Sequence, residues 1–279
     1  IRFMFKFKKI KRTILFVHIS GGLGNQLFQI NNVIELIRPV NRKKFVLIFL
    51  YTGNPRIKKA HEFPRLSDLG VQSFYFNRGL AKWLIRLLKI LGMLNLTNLL
   101  IEGRNSEKKL INGINFVEGL YQRRPSKTST RFLRSKIKFK LTSDKYNVLH
   151  IRLGDYLSEE SKSNVGLVTN QFYQECLKTL YSHGYPIWIV SDGEKEQIDQ
   201  ILKDAKISYQ IKRSESDLKD FEFIANAQIV AVCNSTFSLW ACYIKDKQNV
   251  YYPSSWLPAK PELNERNPRL DLSWSPIKN

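Results

Sequence analysis

Asn147-Val-Leu-His-Ile-Arg-Leu-Gly-Asp-Tyr156 is the stretch on which the reading of this chain turns. It opens apolar and β-prone, as a buried strand does, and breaks at Gly154 into a polar loop. His150 and Arg152 occupy alternate positions, so on a strand they share one face. Asp155 follows just past the strand end, where α/β proteins carry their functional loops. A guanidinium at such a place can grip a diphosphate with a bidentate fork and needs no metal to do so. The plainer reading of the same residues is an Arg152–Asp155 ion pair that pins a turn.

Towards the C-terminus the pattern repeats. A helix over 170–182 turns Phe172, Leu177 and Leu180 inward, and a strand over 186–190 ends at Ser191-Asp192-Gly193. A helix over 194–205, a short strand over 207–211, a helix over 217–226 and a strand over 228–233 follow. Asn234-Ser-Thr-Phe-Ser238 then turns into a helix over 239–244, and 250–252 is the last strand. Apolar strands alternating with helices predict a parallel, doubly wound α/β sheet. The strand ends at 150–155, 191–192 and 234–238 carry polar loops, which such a sheet gathers into one crevice. Ser235, Thr236 and Ser238 sit where a helix begins. They suit either phosphate oxygens or a simple N-cap.

Towards the N-terminus, a strand over 13–19 runs into Ser20-Gly-Gly-Leu-Gly-Asn-Gln26. A helix follows with Leu23, Leu27, Ile30, Ile34 and Ile37 at helical spacing, and Pro39 closes it. Strand, glycine loop and helix can aim backbone N–H groups at an anion, but the same glycines also serve a tight turn. The loop is no dinucleotide fingerprint, because Leu27 stands where the third glycine belongs, and it lacks the Gly-Lys-Ser/Thr of a Walker loop. A strand over 45–51 and a polar, loop-like stretch come next. In 79–91, Lys82, Arg86 and Lys89 lie at helical spacing opposite Trp83, Leu84, Leu87, Leu88 and Leu91. That pattern fits a helix lying on an anionic membrane or an outer helix with solvated lysines. Residues 121–140 hold eight Lys or Arg and no acid, and read as an exposed connection between domains at 1–140 and 141–279.

Composition narrows the class. With 279 residues and 43% hydrophobic content the chain has ample core for two α/β domains. A mean hydropathy of −0.30 fits a globular protein. The net charge of +21 favours anionic partners: nucleic acid, lipid headgroups or a phosphorylated substrate. A nucleic-acid platform would interleave aromatics with its cations, whereas Phe132 and Phe139 stand isolated in the basic stretch, so no specific nucleic acid is expected. Cys176, Cys233 and Cys242 lack metal spacing and read as core residues of a reducing, cytoplasmic compartment. No stretch is long and apolar enough to span a bilayer.

These stretches together resemble glycosyltransferase family 11, the inverting α-1,2-fucosyltransferases. Gly21-Gly-Leu-Gly-Asn-Gln-Leu-Phe-Gln29 is similar to the family's GGLGNQ(L/M)FQ signature, the most specific of the set. Gly119-Leu-Tyr-Gln122 resembles its GYxQ segment, and His150-Ile-Arg-Leu-Gly-Asp-Tyr156 resembles HxRRGDY. Asn234-Ser-Thr-Phe-Ser-Leu-Trp240 is similar to NSTFSWW, and Ser191-Asp192 to an S-D strand end. Leu153 replaces the second arginine and Leu239 a tryptophan, which implies a weaker diphosphate grip or another donor.

The resemblance implies a GT-B-like pair of Rossmann-type domains with the donor crevice mainly on the C-terminal one. It implies GDP-fucose as donor substrate, a glycan acceptor that is lipid-linked, and no cofactor or metal; no D-x-D occurs in the chain. Arg152 and Asp155 are the catalytic candidates. The substrate-binding candidates are Gly22, Gly24, Asn25, Gln26, Gln122, His150, Ser191, Asp192, Asn234, Ser235 and Thr236. Charge and the 79–91 helix add an expectation of peripheral contact with an anionic membrane. The alternatives are a transferase for another nucleotide sugar and a non-catalytic basic protein binding nucleic acid or membrane.

Overall fold

The computed structural model describes residues 12–38, 45–53, 72–76, 78–103, 109–137, 139–140, 142–154, 158–214, 216–260, 270–271 and 273–278. The chain divides into two compact units, Ile1–Gln122 and Arg123–Asn279.

In the first unit the strands are β1 (Thr13–Ser20), β2 (Phe45–Gly53), β3 (Gln72–Phe76), β4 (Asn98–Ile101) and β5 (Gly113–Glu118). Helix α1 (Leu23–Ile37) follows β1, and α2 (Arg78–Met93) joins β3 to β4. The sheet runs β3-β2-β1-β5-β4, with every neighbouring pair parallel. β1 buries Leu15, Val17 and Ile19 at alternate positions, as a strand covered on one face by a helix must. The apolar positions anticipated in α1, from Leu23 to Ile37, are all buried. On the other face Ala81, Ile85 and Leu88 of α2 close over Leu50 and Phe116.

The second unit begins with α3 (Lys127–Lys136) and β6 (Asn147–Ile151), followed by α4 (Glu159–Asn164), α5 (Asn170–Tyr181), β7 (Ile187–Ser191) and α6 (Lys195–Leu202). It continues with β8 (Gln210–Lys212), α7 (Asp217–Asn226), β9 (Ile229–Ala231), α8 (Thr236–Lys245), β10 (Val250–Pro253) and β11 (Ser275–Ile277). The order is β11-β10-β9-β6-β7-β8, again wholly parallel. β6 is central and buries all its residues. Leu149 and Ile151 pack there against Phe172, Leu177 and Leu180 of α5 and Ile198 of α6. Fully burying a side chain of that size contributes about 1.5–3 kcal/mol, so these contacts dominate the unit's stability. The chain leaves β6 towards β7 and β8 but leaves β9 towards β10 and β11, so the switch point lies between β6 and β9 and opens a crevice there.

One expectation needs revision. The basic stretch is not merely an exposed connection, and the units divide after Gln122 rather than after 140. Residues 127–136 form α3, capped by Ser126, whose hydroxyl accepts the Ser129 N–H. Leu133 is wholly buried, and the Arg134 Nε donates to the Ile244 carbonyl of α8. Lys127, Arg131 and Arg134 share the exposed side of a docked helix, so charge density alone misreads it as a linker.

Candidate functional site

The second unit collects its polar side chains at the C-terminal ends of β6, β7 and β9. Arg152 Nη1 lies 2.9 Å from Asp192 Oδ2, across the ends of β6 and β7. The other Asp192 oxygen accepts the Leu153 N–H at 2.8 Å, so one carboxylate holds both the guanidinium and the backbone beneath it. The two side chains are 34% and 30% exposed, open enough to meet a ligand. Gly154 makes the contact possible, because a Cβ at that position would lie 2.1 Å from Asp192 Oδ2. The Ser191 hydroxyl accepts the Gly193 N–H at 3.0 Å and shapes this turn from its buried side.

His150 sits under the pair, not beside it. It is buried, with Nδ1 3.0 Å from Ser238 Oγ and 3.3 Å from Cys233 Sγ. Ser238 Oγ in turn donates to the Ser235 carbonyl at 3.3 Å, tying the end of β6 to the first turn of α8. Burial, and then the neighbouring Arg152 charge, push the His150 pKa down to about 4, with Asp192 opposing. The imidazole is therefore neutral at physiological pH. Burial likewise pushes the Cys233 thiol up to about 12, so the floor of the site is uncharged. His150, a substrate-binding candidate, thus links the end of β6 to the start of α8 from beneath.

The serine before α8 differs from three other hydroxyl caps of the unit. Ser126, Thr169 and Ser216 each accept a backbone N–H of the helix they cap, whereas the Ser235 side chain makes no cap hydrogen bond. Its hydroxyl is therefore not committed to capping the first turn. Asn234 is buried and donates to the Gly166 carbonyl at 3.0 Å, fixing the loop before the helix. Thr236 is the first residue of α8. Leu153, standing for an arginine of the similar motif, turns into the α5–α6 core, where a Cβ on Gly193 would come within 2.4 Å of it. Asp155 lies outside the described residues.

In the first unit the two signature stretches meet. Gln122 Nε2 donates to Asn25 Oδ1 at 2.7 Å, and Gln29 Nε2 donates to the Gly119 carbonyl at 3.1 Å. Gly22 is the N-cap of α1, and Gly24 lies buried in its first turn. Gln26, wholly buried, donates to the Gly21 carbonyl at 2.7 Å and closes the loop on itself. At the facing turn Gly119 has φ +148° and Tyr121 φ +50°. A tyrosine in the left-handed region is strained, and Glu102 offsets this by accepting the N–H groups of Leu120 and Tyr121 at 2.8 and 2.9 Å. Sequence reasoning missed Glu102 and also a polar group at the ends of β1, β2 and β5. There His18 Nδ1 lies 3.3 Å from Glu118 Oε1, His18 Nε2 lies 2.9 Å from Thr52 Oγ1, and Lys89 pairs with Glu118 at 2.8 Å. The His18 hydrogen bond, followed by the Lys89 contacts, holds the Glu118 carboxyl below its ordinary pKa against the opposing effect of burial. A lone histidine inside an apolar strand carries no sequence signal of such a partner.

Among the described residues, no cluster of three or more His, Cys, Asp or Glu is gathered that could hold a metal ion, and no helix is long and apolar enough to cross a membrane.

Residues 124–277 match the family described as glycosyl transferase family 11. No curated protein matches the sequence significantly. Among solved structures, the glycosyl transferase family 9 protein from Veillonella parvula is similar over 95% of this chain and 87% of its own, at 8% identity and a TM-score of 0.51. The fucosyltransferase NodZ from Bradyrhizobium is similar over 83% of this chain and 93% of its own, at 12% identity and a TM-score of 0.49. At such identity the Veillonella likeness is one of fold: a GT-B-type α/β architecture with two parallel sheets.

Proposed function

Because the chain belongs to glycosyl transferase family 11, we propose that it transfers fucose from GDP-fucose to a sugar hydroxyl of a glycan, with inversion and without a metal ion. The observation that carries this reading is the Arg152–Asp192 pair at the switch point of the second sheet. A guanidinium presents five N–H donors in a fixed plane, so the side chain that pairs with Asp192 can also grip a diphosphate.

In the proposed step the acceptor oxygen attacks the anomeric carbon of fucose, and the bond from that carbon to the diphosphate oxygen breaks. The electron pair leaves with GDP, where Arg152, Ser235, Thr236 and the first-turn N–H groups of α8 meet the developing charge. The acceptor proton passes to a base, a role we assign to Asp155 in the loop after β6. The loop of Gly22, Gly24, Asn25 and Gln26, braced by Gln122, forms the acceptor side. We assign the acceptor to lipid-linked glycans of bacterial surface-polysaccharide assembly, at the cytoplasmic face of an anionic membrane. Three free, buried cysteines accord with a reducing compartment.

Incubating the full chain with a panel of GDP- and UDP-sugars, with and without a chelator, tests the reading. It expects GDP release from GDP-fucose, unaffected by chelation, and a product of inverted anomeric configuration by NMR. Turnover of a UDP-sugar with none of GDP-fucose would show that Leu153 marks a different donor.

A further inference from the structure

We propose that the outer face of α2 is a docking surface for an anionic phospholipid membrane, seated in the plane of the headgroups. This goes beyond the transfer reaction and stands whichever sugar is moved.

Helix α2 carries two apolar faces. Ala81, Ile85 and Leu88 are buried against the sheet. Leu80, Trp83, Leu87, Ile90 and Leu94 recur every three or four residues and form a second stripe. Except for Leu87, which is half-buried, these residues are exposed: Trp83 is 59% open to solvent, and Met93 at the helix end and Leu96 beyond it extend the patch. The sequence pattern groups Trp83 and Leu87 with Leu84, Leu88 and Leu91 on one apolar face. The sheet takes the narrower set and leaves Trp83 and Leu87 outside. A continuous apolar stripe of this length on a surface marks a contact site.

Charge decides what the contact is. No acidic residue lies in α2, and Lys82 and Arg86 are exposed beside the stripe. Lys89 is held by Glu118 at 2.8 Å. A second copy of this chain would have to set the same patch against itself, bringing Lys82 and Arg86 of one protomer against those of the other. With a net charge of +21 on each chain that association is opposed. A sheet of lipid phosphates answers both features, since it attracts the flanking cations and accepts the apolar stripe. An exposed tryptophan with an apolar body and a polar N–H suits the headgroup boundary.

The test uses the full chain with vesicles of phosphatidylglycerol and phosphatidylcholine, against phosphatidylcholine alone. Sedimentation is expected with the anionic vesicles only and is lost at high salt, where screening sets in within about 10 Å at 0.1 M. Of the five tryptophans Trp240, Trp256 and Trp274 are buried and Trp188 is half-buried against Phe223, so the exposed Trp83 is the main reporter when the vesicles carry brominated acyl chains. Its fluorescence is expected to be quenched, and Trp83→Phe to abolish most of that signal. Each cation near the surface strengthens binding about fivefold, so Lys82→Gln with Arg86→Gln is expected to weaken it about 25-fold at low salt. Trp83→Glu with Ile90→Glu is expected to weaken it at least about tenfold. Thermal unfolding and donor hydrolysis are expected to stay unchanged in both variants. Three results would each overturn the proposal: no sedimentation with anionic vesicles at low salt, equal binding by the Trp83/Ile90 variant, or a dimer that this variant dissolves. Donor hydrolysis is read separately, so failure here leaves the transferase reading intact.

Discussion

Asp192 ties the candidate site together with one short side chain, holding Arg152 through one oxygen and the Leu153 N–H through the other. The arrangement depends on the bare backbone of Gly154. Gly154→Ala is expected to push the carboxylate off Arg152 and cost about ten- to a hundredfold in donor turnover, because misplacement of about 1 Å costs that much at a reacting centre. Wild-type turnover in a folded Gly154→Ala protein would separate the pair from catalysis. Arg152 was legible in the sequence because a cation at a strand end has few structural uses. The partner was not, since strand register rather than spacing brings position 192 beside 152. His150 was legible as important but not as buried. Its depressed pKa gives the fold a pH signature. The unfolded chain takes up the proton near pH 6.5 while the native imidazole resists until about 4. Stability is thus fully present above pH 6.5 and falls as pH drops through that window, by on the order of 3 kcal/mol. Urea melts of wild type and His150→Gln between pH 7 and 4 check this. The variant is expected to show the shallower decline, and parallel declines would remove His150 from the account.

Helices α3 and α8 show what element-level reading can and cannot reach. The strands of the second unit announced themselves as apolar runs, because a parallel sheet buries both faces. β5 did not, because Asn115 interrupts it. That side chain is wholly buried: its Nδ2 donates to the Ile111, Ile14 and Gly113 carbonyls, and its Oδ1 accepts from Asn98 Nδ2 and the Ile111 N–H. α3 was hidden by its charge, although Ser126 and Leu133 carried the pattern of a capped, docked helix. Leu133→Ala is expected to lower the stability of the second unit by about 2–5 kcal/mol, the cost of a core cavity. A shift within error would return 127–136 to the role of a linker. The N-cap serines make a matched pair. Ser126→Ala is expected to cost about 1 kcal/mol. Ser235→Ala should cost little stability, having no cap hydrogen bond to lose, but should weaken GDP binding. Equal stability losses in the two variants would make Ser235 an ordinary cap.

At the scale of the molecule, two parallel sheets, each with its first strand at the centre, put the loops after β1 and β6 at switch points. The stretches that begin at Gly21 and His150 lead into those loops, while those at Gly119 and Asn234 follow β5 and β9. The alternation of strands and helices made the second sheet readable. Its division from the first was not, because compactness follows burial of Leu133 and the α3–α8 contact rather than composition. The central claim is that the second unit grips the diphosphate of a nucleotide sugar through Arg152. Calorimetric titration of the full chain and of Arg152→Ala with GDP and with GMP tests it most directly, because the two ligands differ only in the β-phosphate. A charge-assisted contact of about 1.5–3 kcal/mol predicts a loss of roughly ten- to a hundredfold in GDP affinity on substitution, with GMP affinity little changed. Equal GDP affinity in the two proteins, or an equal loss for GMP, would contradict the account.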